Sequence, residues 1–177
     1  NSYKQALKIK PDYAEAYNNM GIVLYGKGDL EAAIESYKQA LKIDPDYAEA
    51  HINAGIALKG SGDLEAAINS YEKAIKINPD YKAYYNMGVA LNDKGDLEAA
   101  INSYKQAVLI KSDDAEAYNN MGIALKDKGD RELAIVSYQK ALKINPDFSE
   151  AHHNLGVLLF ESNSTEVFQI VPDSEPK

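Results

Sequence analysis

The stretch Ala48–Tyr81, AEAHINAGIALKGSGDLEAAINSYEKAIKINPDY, decides the fold, because the chain repeats it. Ala14–Tyr47 reads AEAYNNMGIVLYGKGDLEAAIESYKQALKIDPDY, and Ala115–Phe148 reads AEAYNNMGIALKDKGDRELAIVSYQKALKINPDF. All three are 34 residues long and in register. The copy at 82–114 is one residue short. With Ala48 as position 1, Asn1–Tyr13 matches positions 22–34, which is a half repeat with the second helix only. Residues 149–160 match the first helix of a further repeat, and 161–177 form a divergent tail. A fixed period of this size predicts an array in which each unit stacks on its neighbours. A chain that starts in mid-repeat reads as a piece of a longer protein.

Two helices are legible in each unit. The first spans roughly 48–59. Asp46 and Glu49 have the spacing of a capping box, and so do Asp12/Glu15, Asp113/Glu116 and Asp147/Glu150. The box is broken at Asp80-Tyr81-Lys82-Ala83, where the missing residue falls. Gly60-Ser61-Gly62 stops the first helix, since glycine tolerates the left-handed backbone of a helix end. Asp63 caps the second helix, whose apolar stripe is Leu64, Ala67, Ile68, Tyr71, Ala74 and Ile75. Pro79 ends it.

Small residues recur at fixed places. Position 8 is Gly21, Gly55, Gly88, Gly122 and Gly156; position 20 is Ala33, Ala67, Ala100 and Ala134. A helical glycine costs about 1 kcal/mol relative to alanine. Its recurrence predicts a partner helix passing close at position 20. In the tail, Phe168 falls at position 20 and Pro172 near position 24, so a normal second helix is not expected there. The run Val167–Val171 reads as an irregular cap, a strand-like arm or the start of another domain.

The net charge of −8 over 177 residues argues against general affinity for nucleic acid. No apolar run is long enough to span a membrane. The absence of cysteine excludes disulfides, thiolate metal sites and a catalytic thiol, and suits a cytoplasmic location. His152 and His153 point about 100° apart on a helix and His51 lies in a distant unit, so the spacing argues against a metal site. With no nucleophile beside a base and no phosphate-binding loop, neither catalysis nor a cofactor is expected.

An aromatic or histidine at position 4, Gly at 8, Ala at 20, Tyr at 24, Ala at 27 and Pro at 32 together resemble the tetratricopeptide repeat. The likeness covers residues 1 to about 160, with Ser112 in place of one proline. It implies an all-α, right-handed superhelical solenoid of antiparallel helix pairs. It also implies a non-catalytic protein–protein interaction scaffold, holding a peptide of a partner protein in a concave groove. Two alternatives share these residues: a recruiting arm of a larger enzyme such as a glycosyltransferase, and a scaffold that self-associates end to end.

Position 6 is asparagine throughout: Asn19, Asn53, Asn86, Asn120 and Asn154. It lies two residues, about 200°, from the glycine contact and so faces the groove. An amide can pair with both N–H and C=O of an extended peptide. This ladder is similar to that of the repeat arms of O-linked N-acetylglucosamine transferases. The competing reading is a solvated polar face. Position 5 is the most variable: Asn18, Ile52, Tyr85, Asn119 and His153. As a groove-facing position it is either a selectivity determinant or unconstrained. Position 12, with Tyr25, Lys59, Asn92, Lys126 and Phe160, is assigned to selectivity alongside it. Position 9, with Ile22, Ile56, Val89, Ile123 and Val157, offers apolar pockets or packs on the next first helix. The acids at position 2, Glu15, Glu49, Glu116 and Glu150, are read as helix-start residues; Lys82 interrupts them. The family's carboxylate clamp for chaperone C-termini needs several basic residues at positions 2 and 6, and only Lys82 is present.

Overall fold

The computed structural model describes residues 13–169, with side chains described as far as residue 161. The expected half repeat over residues 1–12 lies outside these. The chain divides into two units, one ending at Lys111 and the other starting at Ser112. The boundary falls where serine replaces the position-32 proline. The first unit contains α1 (Ala14–Gly26), α2 (Leu30–Ile43), α3 (Ala48–Gly60), α4 (Leu64–Ile77), α5 (Tyr81–Lys94) and α6 (Leu97–Ile110). The second contains α7 (Ala115–Lys128), α8 (Arg131–Ile144) and α9 (Ser149–Gln169). There is no strand among the described residues.

Each hairpin turns through a glycine at position 15. Gly28, Gly62, Gly95 and Gly129 have φ of 81°, 88°, 86° and 97°, a left-handed conformation that glycine adopts without steric cost. The following aspartate caps the second helix in the first unit. Asp29, Asp63 and Asp96 accept hydrogen bonds from the amides of Ala32, Ala66 and Ala99. Removing such a cap typically costs about 1 kcal/mol.

The first helices start differently from the expected capping box. Tyr13 holds the cap position of α1, and Tyr47, not Asp46, that of α3, both without a side-chain cap. Asp114, not Asp113, caps α7 through the amide of Ala117 at 2.9 Å. The reason is an extra turn ahead of the helix. Asp44 Oδ1 accepts from the Asp46 amide and Asn145 Oδ1 from the Asp147 amide, so Asp46 and Asp147 belong to that turn. At the short unit Tyr81 becomes the first helical residue, and Asp80 caps it through the Lys82 amide at 2.7 Å.

Within the first unit α1 packs on α2, α3 on α4 and α5 on α6; α2 also meets α3 and α4 meets α5. The first helices touch each other, α1 with α3 and α3 with α5. In the second unit α8 packs between α7 and α9, and α7 also touches α9. The core is built from alanine and tyrosine. Ala33, Ala67, Ala100 and Ala134 have no exposed surface, and Tyr37, Tyr71, Tyr104 and Tyr138 are buried beside them.

The tyrosines, rather than the position-20 alanines, are what the position-8 glycines accommodate. A Cβ on Gly55 would lie 2.5 Å from Tyr71 Cε1, and one on Gly21, Gly88 or Gly122 would lie 2.5–2.7 Å from the ring of Tyr37, Tyr104 or Tyr138. The atoms nearest to where each Cβ would stand all belong to a tyrosine ring, so the close approach is made by a side chain and not by the partner helix's main chain. The tail also differs from expectation. α9 continues through the place where a turn would fall and ends at Gln169, so residues 167–169 are helical.

Candidate functional site

The first helices of neighbouring repeats are joined by asparagine pairs. Asn53 Nδ2 donates to Asn18 Oδ1 at 3.0 Å, and Asn154 Nδ2 donates to Asn119 Oδ1 at 3.0 Å. Position 6 of one repeat thus holds position 5 of the preceding one, at a separation of 35 residues. The acceptors are themselves anchored. Asn18 Nδ2 reaches the Tyr47 hydroxyl at 3.5 Å, and Asn119 Nδ2 reaches Glu150 Oε1 at 3.0 Å. Where the preceding position 5 is Ile52, no such acceptor exists, and Asn86 Nδ2 bonds the Lys82 carbonyl of its own helix instead.

All five position-6 asparagines are half-buried. Position 5 does not face an open groove as expected. Asn18 and Asn119 are 1% exposed and Ile52 is 7% exposed, because the next first helix covers them. Tyr85 is half-buried, stacked on Tyr81 at 5.8 Å and set edge-on to Tyr104 at 6.2 Å. Lys111 Nζ lies 5.0 Å from the centre of the Tyr81 ring. Of the position-5 set only His153 is exposed.

Position 12 is more accessible. Tyr25 is 40% exposed. Lys59 pairs with Asp93 of the next repeat at 3.4 Å, and Lys126 with its neighbour Asp127 at 3.6 Å. Asn92 Oδ1 is buried with no hydrogen-bond partner among the described residues. At position 9, Ile22 and Val157 are exposed while Ile56, Val89 and Ile123 are half-buried.

The surroundings of the pairs are acidic. Tyr13 donates to Glu15 Oε2 at 2.9 Å, and that hydrogen bond raises its phenol pKa above the usual value. Burial raises Tyr47, with Glu49 and Glu15 adding to it. Tyr138 is pushed up to about 12 by burial, with Asp127 and Glu150 contributing.

Two cavities lie elsewhere in the first unit. One of about 700 Å³ is lined by Leu41, Pro45, His51, Lys73 and Ile77, where α2, α3 and α4 meet. His51 Nε2 is held there by the Pro45 carbonyl at 2.9 Å. Another of about 290 Å³ lies between α5 and α6, beside Tyr84 and Gln106. Among the described residues no three His, Asp or Glu side chains gather to hold a metal, and no helix is long and apolar enough to cross a membrane.

Sequence reading missed the pairing of positions 5 and 6. The signal was available as two asparagines spaced 35 apart, Asn18/Asn53 and Asn119/Asn154, one more than the period. The pair Lys59–Asp93, spaced 34 apart, was equally legible.

Comparison with known proteins agrees with this geometry. A family model described as TPR repeat matches residues 1–28, 23–62, 59–92 and 88–129. Two described as tetratricopeptide repeat match 115–148 and 137–166. No curated protein matches significantly. Two crystal structures of MamA are similar. One is 28% identical with a TM-score of 0.80, over 85% of this chain and 82% of that one. The other is 32% identical with a TM-score of 0.78, over 81% of this chain and 85% of that one. YrrB, titled a TPR protein with an unusual peptide-binding site, shares the fold at 23% identity and a TM-score of 0.80, over 92% of this chain and 84% of that one. Paired helices, a glycine seat for each tyrosine and repeat matches along most of the sequence lead to one conclusion: the chain belongs to the tetratricopeptide repeat family.

Proposed function

We propose that this chain is a non-catalytic scaffold that binds an extended peptide of a partner protein along the position-6 asparagines. The observation that carries the reading is the oriented amide. Asn53 spends one N–H on Asn18, and its Oδ1 accepts no hydrogen bond among the described residues. A fixed amide meets a peptide N–H without first losing rotamer freedom, which lowers the cost of binding. In the first unit the ladder comprises Asn19, Asn53 and Asn86; in the second, Asn120 and Asn154. Packed helices lie about 10 Å apart and an extended peptide advances about 3.3 Å per residue. Each step of the ladder therefore matches roughly three peptide residues.

The buried Asn18, Ile52 and Asn119 act in this scheme by holding or spacing the ladder rather than by touching the peptide. Selectivity falls to Tyr25, Lys59, Asn92, Lys126 and Tyr85. The likeness to glycosyltransferase repeat arms rests on the asparagines alone and shares this binding mode.

The test begins with peptides selected from a random display library on the parent chain. They are then titrated against the triple variant Asn19→Ala, Asn53→Ala, Asn86→Ala, all within the first unit, with the fold checked by circular dichroism. Each lost neutral hydrogen bond costs about 0.5–1.5 kcal/mol. A loss of affinity of tenfold or more is expected, at about 1.4 kcal/mol per factor of ten. Unchanged affinity in a folded variant refutes the ladder.

A further inference from the structure

The cavity beside His51 has a chemistry that the asparagine ladder does not use. It holds about 700 Å³ where α2, α3 and α4 meet. An apolar wall with a few polar groups, at a volume of about 300–1,000 Å³, is the makeup of a small-molecule site. Here the wall is Leu41 and Pro45 from the first repeat and Ile77 from the second. The buried polar member is His51, 7% exposed, whose Nε2 donates to the Pro45 carbonyl at 2.9 Å. Lys73 and Lys76 also line the cavity, one turn apart on one face of α4 and both exposed. Among the described residues neither ammonium makes an ion pair or a hydrogen bond. Asp46 is the single acid among the described lining residues, so positive charge prevails here in a chain whose net charge is −8.

Comparison among the repeats explains why these groups are left for a ligand. Position 4 is His51 here but Tyr17, Tyr84 and Tyr118 in the other repeats whose two helices are described. Against Tyr118 the position-26 lysine finds a partner, with Lys140 Nζ 5.4 Å from the ring centre. Lys73 holds the same position, but the imidazole is smaller than a phenol and is tied to Pro45. The other repeats also change the cations: Gln39 stands at position 26 of the first, and Gln106 and Leu109 at positions 26 and 29 of the third. Histidine at position 4 with lysine at both 26 and 29 therefore occurs in this one of the four. We infer that the cavity binds a small organic acid, a carboxylate carried on an apolar body. The carboxylate accepts charge-assisted hydrogen bonds from Lys73 and Lys76, and the body covers Leu41, Pro45 and Ile77. Two lysines against one aspartate leave an excess of one positive charge, which matches a monoanion. Position 4 lies two residues, about 200°, from Asn53 on the same helix. The site therefore faces away from the asparagine ladder and does not depend on it.

The probe is octanoate, titrated into the isotopically labelled chain and followed by proton–nitrogen correlation NMR. Saturable shifts are expected at the amides of His51, Lys73 and Lys76. Affinity should fall about tenfold or more when octanol replaces octanoate, and by a similar factor in the double variant Lys73→Gln, Lys76→Gln. Both lysines are exposed, so that variant should melt as the parent does, which separates lost binding from lost folding. Asp46→Asn should tighten the binding of octanoate, and octylammonium should bind more weakly than octanol. The triple asparagine variant should bind octanoate as the parent does. Absence of saturable binding, shifts confined to other helices, or affinity indifferent to the two lysines overturns the proposal. Equal affinity for octanol overturns it by reducing the site to an apolar surface. Tighter binding of an end-blocked tripeptide of leucine and two glutamates overturns it by assigning the cavity to a protein segment.

Discussion

Gly55→Ala tests whether the glycine seats organise the repeat. The added Cβ would stand 2.5, 2.8 and 2.9 Å from Cε1, Cζ and Cδ1 of Tyr71, whereas ordinary contact begins at 3.4 Å. The ring must therefore withdraw by about 1 Å. Tyr71 is fully buried, and residues on either side of it, Ala67 and Ala74, have no exposed surface, so withdrawal drags α4 with it. Overpacking of this kind costs about 1–3 kcal/mol. Alanine in a helix recovers about 1 kcal/mol relative to glycine. The net expectation is destabilisation of up to about 2 kcal/mol. Gly156→Ala, in the same register but with no described residue within 4 Å of its Cβ position, keeps only the gain and should stabilise by up to about 1 kcal/mol. Urea titrations followed by circular dichroism, each variant against the parent, read both signs. Pairing Gly55→Ala with Tyr71→Leu removes the ring and should make the alanine neutral or favourable. If Gly55→Ala stabilises as much as Gly156→Ala, the seat is not tight and the packing account fails.

Asn18→Leu should destabilise by about 1–3 kcal/mol, because it strands the half-buried amide of Asn53 without its acceptor; adding Asn53→Leu should recover part of the loss, measured by the same urea titrations. High pH should unfold the chain through its buried phenols. Tyr37 and Tyr138 are pushed up from 10.0 to about 12, chiefly by burial, so the folded state holds these protons more tightly than the unfolded state does. Their contribution is complete below pH 10 and lost as pH rises toward 12, and phenolate absorbance and ellipticity should change together in that window. Lys59→Ala should shift stability by less than about 1 kcal/mol, since its ion pair with Asp93 is solvent-exposed; a larger loss in thermal melts would show that the pair fastens the repeats.

The fold was legible because period, turn and cap are local. Gly62 and Asp63 decide the hairpin within two residues, and Gly28/Asp29 and Gly95/Asp96 do the same; Gly129 turns the chain in the same way, while Asp130 makes no side-chain cap bond. The close approach at Gly55 was legible as a fact but not as a partner. Sequence spacing showed that something must pass near it, while Ala67 and Tyr71 share one helical stripe and only the packed geometry chooses the ring. The start of α3 was misread for a similar reason. Asp46-Tyr47-Ala48-Glu49 satisfies the capping-box spacing, but Asp46 is drawn into a turn by Asp44, a residue outside the box.

Position 5 shows where reading a single repeat stops working. A residue there looks outward from its own hairpin, and its variation among Asn18, Ile52, Tyr85, Asn119 and His153 looks like selection for different ligands. Its environment, however, is made by the following repeat. Asn18 is buried because α3 lies over it and Asn53 reaches back to it, and Asn119 is buried under α9 with Asn154 in the same role. Burying an unpaired amide costs about 1–3 kcal/mol, so an asparagine at position 5 is tolerated only with a donor at position 6 of the next repeat. Isoleucine needs no donor, and opposite Ile52 the donor Asn86 turns to its own backbone. Variation at position 5 is thus coupled to what position 6 of the next repeat must do. It changes how firmly each rung of the ladder is held, Asn53 bridged to its neighbour and Asn86 bonded within its own helix. A peptide laid along the first unit would meet rungs of unequal stiffness, and a preference for one register over another follows from that inequality without any direct contact to position 5.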